Sequence, residues 1–312
     1  SREKPFIPLD NTKEKTIPSA INDANSVEVV TLECQDYFVT NWGTEEHNFG
    51  YYKDAAGLWG PYHPVSDREG RVFVVDRFNQ RILELAPHRI QRIFPVPTSL
   101  IGTTSNPGQK WSNASVYSGK LFLRIQSEQE GRLVDSLAIL SLDDASWRAI
   151  SLMPYYPLSS ILVDAVIADA SGGCYLFIEP VGIVYFDYQE RPYFKVVDDV
   201  AKYESMRVGW DAHLYTYNPE NDTITDWGTD FNSFLVGESV RQIPNITYQL
   251  ISALEIEYAR FIGVGTRGDF YFEFMSHNNG QIAHYDGDHW EIGEVSLSLI
   301  HISEPTRLGM IS

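Results

Sequence analysis

The stretch that decides the fold is GPYHPVSDREGRVFVVDRFNQRILEL, residues 60–85. A turn at Glu69 and Gly70 separates two short runs, residues 63–67 and 71–76, and the second run is rich in Val and Phe, as in a buried strand. A further apolar run, residues 81–85, follows a polar loop. This order predicts an antiparallel sheet built from consecutive short strands.

From this stretch outward, the sequence contains pairs of short runs in which apolar and polar residues alternate, and a polar turn separates the two runs of each pair. These pairs predict six β-hairpins. Similar glycine turns, at residues 172–173 and 267–268, join two strands upstream of later hairpins. The hairpins recur about every 50 residues, and four strands per repeat of this length are typical of β-propeller blades. The predicted hairpins are residues 27–33 with 37–42, 81–85 with 90–96, 137–142 with 147–153, 182–187 with 192–197, 213–218 with 223–228, and 281–286 with 290–295.

One repeat resembles a known family. WGTEEHNFG, residues 42–50, together with residues 60–85, is similar to an NHL-type repeat, which implies a β-propeller. The resemblance further implies that Asp76, Asn79 and Arg81 hold a loop between strands through hydrogen bonds from side chain to backbone. The matching positions are Trp42, Gly43, Pro64, Asp67, Gly70, the apolar strand 72–75, Asp76, Asn79, Arg81 and Ile82.

We therefore predict an all-β fold, a six-bladed β-propeller spanning residues 27–296 with an incomplete closing blade. Residues 27–42 are expected to give that blade its two outer strands, because joining the two ends of the chain removes open sheet edges. Residues 1–26 have the composition of a flexible tether. Residues 297–307, LSLIHISEPTR, resemble a translated sequencing adapter, so residues 297–312 are treated as a non-native tail. The fifth hairpin follows the fourth too closely, which indicates either a degenerate blade or a different strand register.

Composition excludes several functions. The chain has 24 basic and 42 acidic residues, a net charge of −18, which argues against binding nucleic acid or an anionic membrane. No apolar run reaches the roughly 18 residues of a membrane span. We expect an extracytoplasmic or secreted monomer.

Cys34 and Cys174 are interpreted as two buried thiols, with a single disulfide as the alternative.

An aromatic insertion gives the main candidate site. Tyr51, Tyr52, Trp59, Tyr62 and His63 crowd a segment that directly precedes an innermost strand. Loops at such positions carry binding residues, and flat rings with polar tips suit a sugar ring or a peptide. The alternative is that these rings only cover the ends of the blades.

Ionisable clusters give weaker candidates. His284 and Asp286 share a strand face and could bind a cation, but a hairpin turn explains the same residues. The acidic group Asn221, Asp222, Asp226 and Asp230 could attract Ca²⁺, yet its spacing fits an ordinary turn. The GxGxxG sequence at residues 263–268 lies between two strands and is interpreted as a hairpin turn.

Two functional hypotheses follow. The first is a non-catalytic binding module that recognises a peptide, a protein or a carbohydrate at the axial face, with no cofactor. The second, implied by related propellers, is a metal-assisted, lactonase-like hydrolase on the propeller axis. Its metal ligands, with Ca²⁺ as the candidate ion, would come from Asp164, Asp211 and His63.

Overall fold

The fold is known from a computed structural model of the chain. Among the residues that the structure describes, the regular structure is mainly β-strand, with two short α-helices. The residues that the structure describes are 27–31, 38, 40–54, 57–61, 64–101, 110–111, 114–129, 132–155, 161–179, 182–195, 205–229, 231–244, 246–247, 258–265, 268–276, 279–286 and 290–294.

Within these residues, the strands form five consecutive antiparallel sheets, which we call blades 1 to 5. Strand β1 (Val27–Thr31) and the hairpin of β2 (Tyr52–Asp54) and β3 (Gly57–Trp59) precede blade 1. Blade 1 consists of β4 (Val65–Ser66), β5 (Val72–Asp76), β6 (Arg81–Ala86) and β7 (Arg89–Pro95). Blade 2 consists of β8 (Lys110–Trp111), β9 (Ser115–Tyr117), β10 (Lys120–Gln129), β11 (Arg132–Ser141) and β12 (Trp147–Ser151), with β8 and β9 both pairing with β10.

The other three blades are regular four-stranded meanders. Blade 3 consists of β13 (Ile161–Ala168), β14 (Cys174–Glu179), β15 (Gly182–Phe186) and β16 (Pro192–Lys195). Blade 4 consists of β17 (Arg207–Val208), β18 (Leu214–Asn218), β19 (Thr223–Asp226) and β20 (Arg241–Pro244). Blade 5 consists of β21 (Tyr258–Val264), β22 (Phe270–Ser276), β23 (Asn279–Tyr285) and β24 (Trp290–Glu294). Helix α1 (Thr98–Ile101) follows blade 1, and helix α2 (Phe231–Val236) lies between β19 and β20.

The innermost strands identify the arrangement as a propeller. The contacts run in chain order, from β4 to β9, from β9 to β13, from β13 to β17 and from β17 to β21. The first strands of successive blades therefore meet around a common axis, and the later strands of each blade lie progressively farther out. This is the radial arrangement of a β-propeller.

Apolar residues on both faces of the blades hold neighbouring blades together. In blade 3, Leu176 belongs to the core shared with blade 2, whereas Tyr175 and Phe177 belong to the core shared with blade 4. Side chains alternate between the two faces of a strand, so near-continuous apolar strands supply both cores. Each fully buried side chain of this size contributes about 1.5–3 kcal/mol. Equivalent cores join blade 1 to blade 2 and blade 4 to blade 5.

The predicted fold class is confirmed, but the described residues form five blades and not the six that we expected. The sixth arose from counting residues 27–42 as part of a blade. Residues 27–31 instead lie parallel to β24 of blade 5, with Val27 opposite Trp290. They extend a blade that already has four strands, so their predicted role as an outer strand of a separate closing blade is wrong.

Blade 4 explains the short interval between the fourth and fifth predicted hairpins. The hairpin at residues 213–228 forms, but as the second and third strands, β18 and β19. The fourth strand, β20, comes only after helix α2. Of the two explanations offered for the short interval, a different strand register is therefore the correct one.

Several predictions lie outside the described residues. They include the tether at residues 1–26, the tail at residues 297–312 and the environment of Cys34. Cys174 is a free thiol with no exposed surface, and burial raises its pKa well above the usual value. In the part of the chain that the structure describes, no helix has the length and apolarity needed to cross a bilayer.

Candidate functional site

A buried polar network fixes the loop that leads into the aromatic insertion. Asp76 has no exposed surface, and its carboxylate accepts hydrogen bonds from the Arg81 Nε at 2.9 Å and the Gly50 amide at 2.8 Å. Asn79 donates from its side chain to Asp76 and to the Gly43 carbonyl, both at 3.0 Å. These contacts confirm that the three polar side chains hold a loop, here residues 43–50, against blade 1.

Two large aromatic side chains stand exposed at the ends of this loop. Trp42 is 40% exposed and Tyr51 is 48% exposed. Their rings meet edge to face, with centroids 6.4 Å apart. Gly60 makes room for the indole, because a Cβ there would lie 2.6 Å from the Trp42 ring.

The predicted binding residues are partly brought together. Tyr51 directly precedes β2, and Tyr52 of β2 is the register partner of Trp59 of β3. Tyr62 and His63 lie outside the described residues. We call residues 42–60, with Trp42, Tyr51, Tyr52 and Trp59, the aromatic segment. Trp42 was not among the predicted binding residues, because its Trp-Gly pair was interpreted only as part of the repeat pattern.

Of the three predicted metal ligands, only Asp211 has a described side chain. Asp211 accepts a hydrogen bond from the Tyr215 hydroxyl at 2.7 Å and another from the His213 amide at 3.1 Å, so its carboxylate is engaged within its own turn. Asp164 lies on β13, where only the backbone is described, and His63 is outside the described residues. Across the described part of the chain, no three His, Cys, Asp or Glu side chains converge as a metal site requires.

The other ionisable clusters have structural partners. His284 Nε2 lies 2.5 Å from Asp269 and its Nδ1 lies 3.2 Å from Glu291. The Asp222 carboxylate accepts hydrogen bonds from the Thr247 amide, at 2.9 Å, and the Tyr217 hydroxyl, at 3.0 Å. These contacts agree with the interpretation of both groups as parts of turns and strand faces.

Burial and these contacts also shift tyrosine ionisation. Burial, with the neighbouring Asp222 charge, raises the pKa of Tyr217 to about 12. Burial and a hydrogen bond to Asp169 raise the pKa of Tyr185 far above its usual value, and burial and Asp211 raise the pKa of Tyr215 in the same way. These phenols stay protonated at neutral pH and act as hydrogen-bond donors to carboxylates.

Neither a protein-family model nor a curated protein sequence matches this chain. Among solved structures, the chain is similar to a streptogramin B lyase at 14% identity, over 76% of this chain and 83% of that one, with a TM-score of 0.45. It is similar to a luciferin-regenerating enzyme at 13% identity, over 76% and 75%, with a TM-score of 0.43.

A third similar structure is regucalcin, a calcium-binding protein from Agrobacterium tumefaciens, at 11% identity, over 75% and 74%, with a TM-score of 0.42. At these identities and TM-scores the likeness concerns the fold alone. The class of the protein, a β-propeller, follows from the strand pairing and the axial contacts described above.

Proposed function

We propose that this propeller is a non-catalytic binding module that recognises a carbohydrate or a peptide through the aromatic segment, outside the cytoplasm. The observation that carries the proposal is the exposed pair Trp42 and Tyr51. Large rings left in water are unfavourable for the free protein, and a ligand that covers them recovers that free energy.

The rigidity of the segment supports this role. The amide of Gly50 and the carbonyl of Gly43 are both held by the buried Asp76 network. The loop that carries the two exposed rings is thereby fixed at both ends before any ligand arrives. A fixed loop loses little conformational entropy on binding, so more of the contact energy contributes to affinity.

The charge of the protein restricts the ligand. With a net charge of −18, the molecule repels anionic polysaccharides and acidic peptides. Neutral sugars and basic peptides remain. Sugars would stack their C–H faces on the rings, whereas a peptide would place apolar or cationic side chains against them.

The proposal is tested with the double variant Trp42→Ala and Tyr51→Ala. Binding is measured on immobilised neutral glycans and on a library of basic peptides, followed by titration calorimetry of each hit. We expect loss of at least tenfold in affinity, which corresponds to about 1.4 kcal/mol. The matched control is Tyr188→Ala, since Tyr188 is 56% exposed on a turn of blade 3.

Two results would contradict the proposal. One is that neither ligand class binds the unmodified protein. The other is that the control variant loses as much affinity as the double variant. Circular dichroism and the melting temperature show whether each variant remains folded.

A further inference from the structure

A cleft lies on the axial side of the boundary between blades 4 and 5, in a different part of the molecule from the aromatic segment. Its volume is about 390 Å³, within the roughly 300–1,000 Å³ typical of small-molecule sites. The described residues that line it are Trp210, Ile262, Gly263, Val264, Gly265 and Tyr271. Three of them, residues 262–264, belong to the innermost strand of blade 5, which we call the floor, and the side chains of Trp210 and Tyr271 are the aromatic part of the lining.

The floor is shaped by a β-bulge and a glycine. The pairs Phe261 with Phe272 and Gly263 with Tyr271 leave Ile262 as an extra residue in β21. A Cβ at Gly263 would meet no atom within 4 Å, and its backbone has no positive φ. Neither backbone conformation nor packing therefore requires glycine here. Its one structural consequence is open space in the cleft, opposite Tyr271.

The backbone at Trp210 and the ring of Tyr271 are both held in place. Trp210 lies in the turn 209–213, which is closed by hydrogen bonds from Gly209 to His213 at 2.9 Å and from Ala212 to Gly209 at 3.0 Å. Tyr271 stacks on the ring of His284, with centroids 4.8 Å apart and planes inclined by 23°. Its hydroxyl donates to Asp269 at 3.1 Å. A ring fixed in this way, and a turn closed by backbone hydrogen bonds, reduce the entropic cost of binding.

Charges of both signs adjoin the cleft. Asp211 follows Trp210 in the turn, and Asp269 holds Tyr271. The Arg207 guanidinium donates to the carbonyl of Ile262, in the floor, at 3.3 Å. The two carboxylates disfavour an anion, and the Arg207 guanidinium offsets part of their attraction for a cation. A neutral molecule with many hydroxyl groups can donate to the carboxylates, accept from nearby donors and stack an apolar face on the rings.

We infer that this cleft binds the ring of a neutral sugar, with Trp210 and Tyr271 as stacking surfaces and Gly263 leaving room for the ring. The inference does not rest on the aromatic segment, because the two regions share no residue. The module would then contact a carbohydrate at the axis independently of its other surface.

Gly263→Val is the decisive variant, because it fills the cleft without straining the backbone. The full chain is mixed with millimolar glucose, galactose, mannose, xylose, N-acetylglucosamine, cellobiose and maltose, and saturation-transfer NMR measures contact with the sugar C–H protons. Both proteins carry Trp42→Ala and Tyr51→Ala, which remove the exposed rings of the aromatic segment. In this background we expect transfer to at least one sugar before Gly263→Val is introduced and none after it. The melting temperature of Gly263→Val should not fall, since valine suits a strand better than glycine.

A second variant and a control complete the test. Trp210→Ala should weaken binding of the same sugar by about tenfold, as expected for loss of a stacked ring. The control, Tyr188→Ala in the same background, should leave binding of that sugar unchanged, because Tyr188 is exposed on a turn of blade 3. The inference is overturned if no sugar of the panel shows transfer, if Gly263→Val binds normally, if Tyr188→Ala abolishes binding, or if tetramethylammonium displaces the sugar.

Discussion

At the scale of single residues, buried charges explain the role of the polar residues that only one repeat carries. Asp76 is fully buried and Arg81 is 8% exposed, and together with Asn79 they satisfy the backbone of a loop that begins far earlier in the chain, at Gly43. A buried ion pair adds little net stability over an apolar pair of the same shape, but loss of one partner is costly. A substitution that removes one member of this network is therefore expected to destabilise the fold.

Arg81→Leu should lower the free energy of unfolding by about 3–5 kcal/mol, because the carboxylate of Asp76 would remain buried without its guanidinium. Urea denaturation measures this loss. Arg148→Leu is the control, since Arg148 pairs with Glu190 at 2.8 Å but is 67% exposed. Its loss should stay below about 1 kcal/mol. Equal losses in the two variants would show that the buried network has no special role.

Tyr217 gives a prediction about pH. Its pKa is about 12 in the folded protein and about 10 when unfolded. Between these values the unfolded chain loses a proton that the folded chain retains, so the free energy of unfolding falls as pH rises. The contribution is fully present below about pH 10 and is lost as pH rises through about 12.

Tyr217→Phe should therefore flatten the decline in stability between about pH 10 and about pH 12. Urea denaturation at several pH values measures the slope for each protein. The control Tyr188→Phe removes a hydroxyl from an exposed side chain and should leave the slope unchanged. A decline as steep in Tyr217→Phe as in the unmodified protein would contradict the assigned pKa.

At the scale of elements, a recurring turn connects the first two strands of several blades. In residues 67–71 and 169–173 the first residue is Asp, and its Oδ1 accepts two backbone amides at 2.8–3.0 Å. In residues 209–213 the first residue is Gly209, and a Cβ there would lie 2.4 Å from Oδ1 of Asp211. Gly265 has the same relation to Asp269, at 2.6 Å. A carboxylate thus lies at the start of the turn in each case, although its Asp is the first residue of the turn in blades 1 and 3, the third in blade 4 and the fifth in blade 5.

The changing position of this Asp illustrates what could be predicted from the sequence and what could not. The strand pattern and the glycine turns predicted most hairpins, because alternation and turn chemistry are local. The glycine turns of blades 1, 3 and 5 were predicted, but the carboxylate that holds each turn was not, because the position of its Asp within the turn differs between blades. The cleft was not predicted either, since Trp210 and Tyr271 lie on different blades and only the fold brings them together.

Two glycines of the inner hairpin of blade 5 should respond oppositely to substitution by alanine. A Cβ added at either Gly263 or Gly268 would meet no atom within 4 Å, but Gly268 has a φ of +79°. Gly268→Ala should cost about 1–2 kcal/mol through left-handed strain. Gly263→Ala should stabilise by about 0.4–1 kcal/mol by restricting the unfolded chain. Thermal denaturation of both variants measures the signs, and a shared sign would contradict this account.

At the scale of the whole molecule, cohesion comes from apolar cores between adjacent blades. Four such cores join blades 1 to 5 in order. The sequence predicted blades buried on both faces, because many of its strands are apolar throughout. It could not predict the pairing of β1 with β24, since a parallel contact between distant segments leaves no local pattern.

That pairing leads to the last prediction. Strand β24 is the outer strand of blade 5, and β1 covers its edge over five residue pairs, from Val27 with Trp290 to Thr31 with Glu294. An uncovered edge strand presents unpaired amides and carbonyls to other chains. Deletion of residues 1–31 should therefore lower the melting temperature and promote self-association. Light scattering coupled to size-exclusion chromatography detects the associated species. Deletion of residues 1–26 keeps β1 and serves as the control, so identical behaviour of the two truncated proteins would show that β1 does not protect this edge.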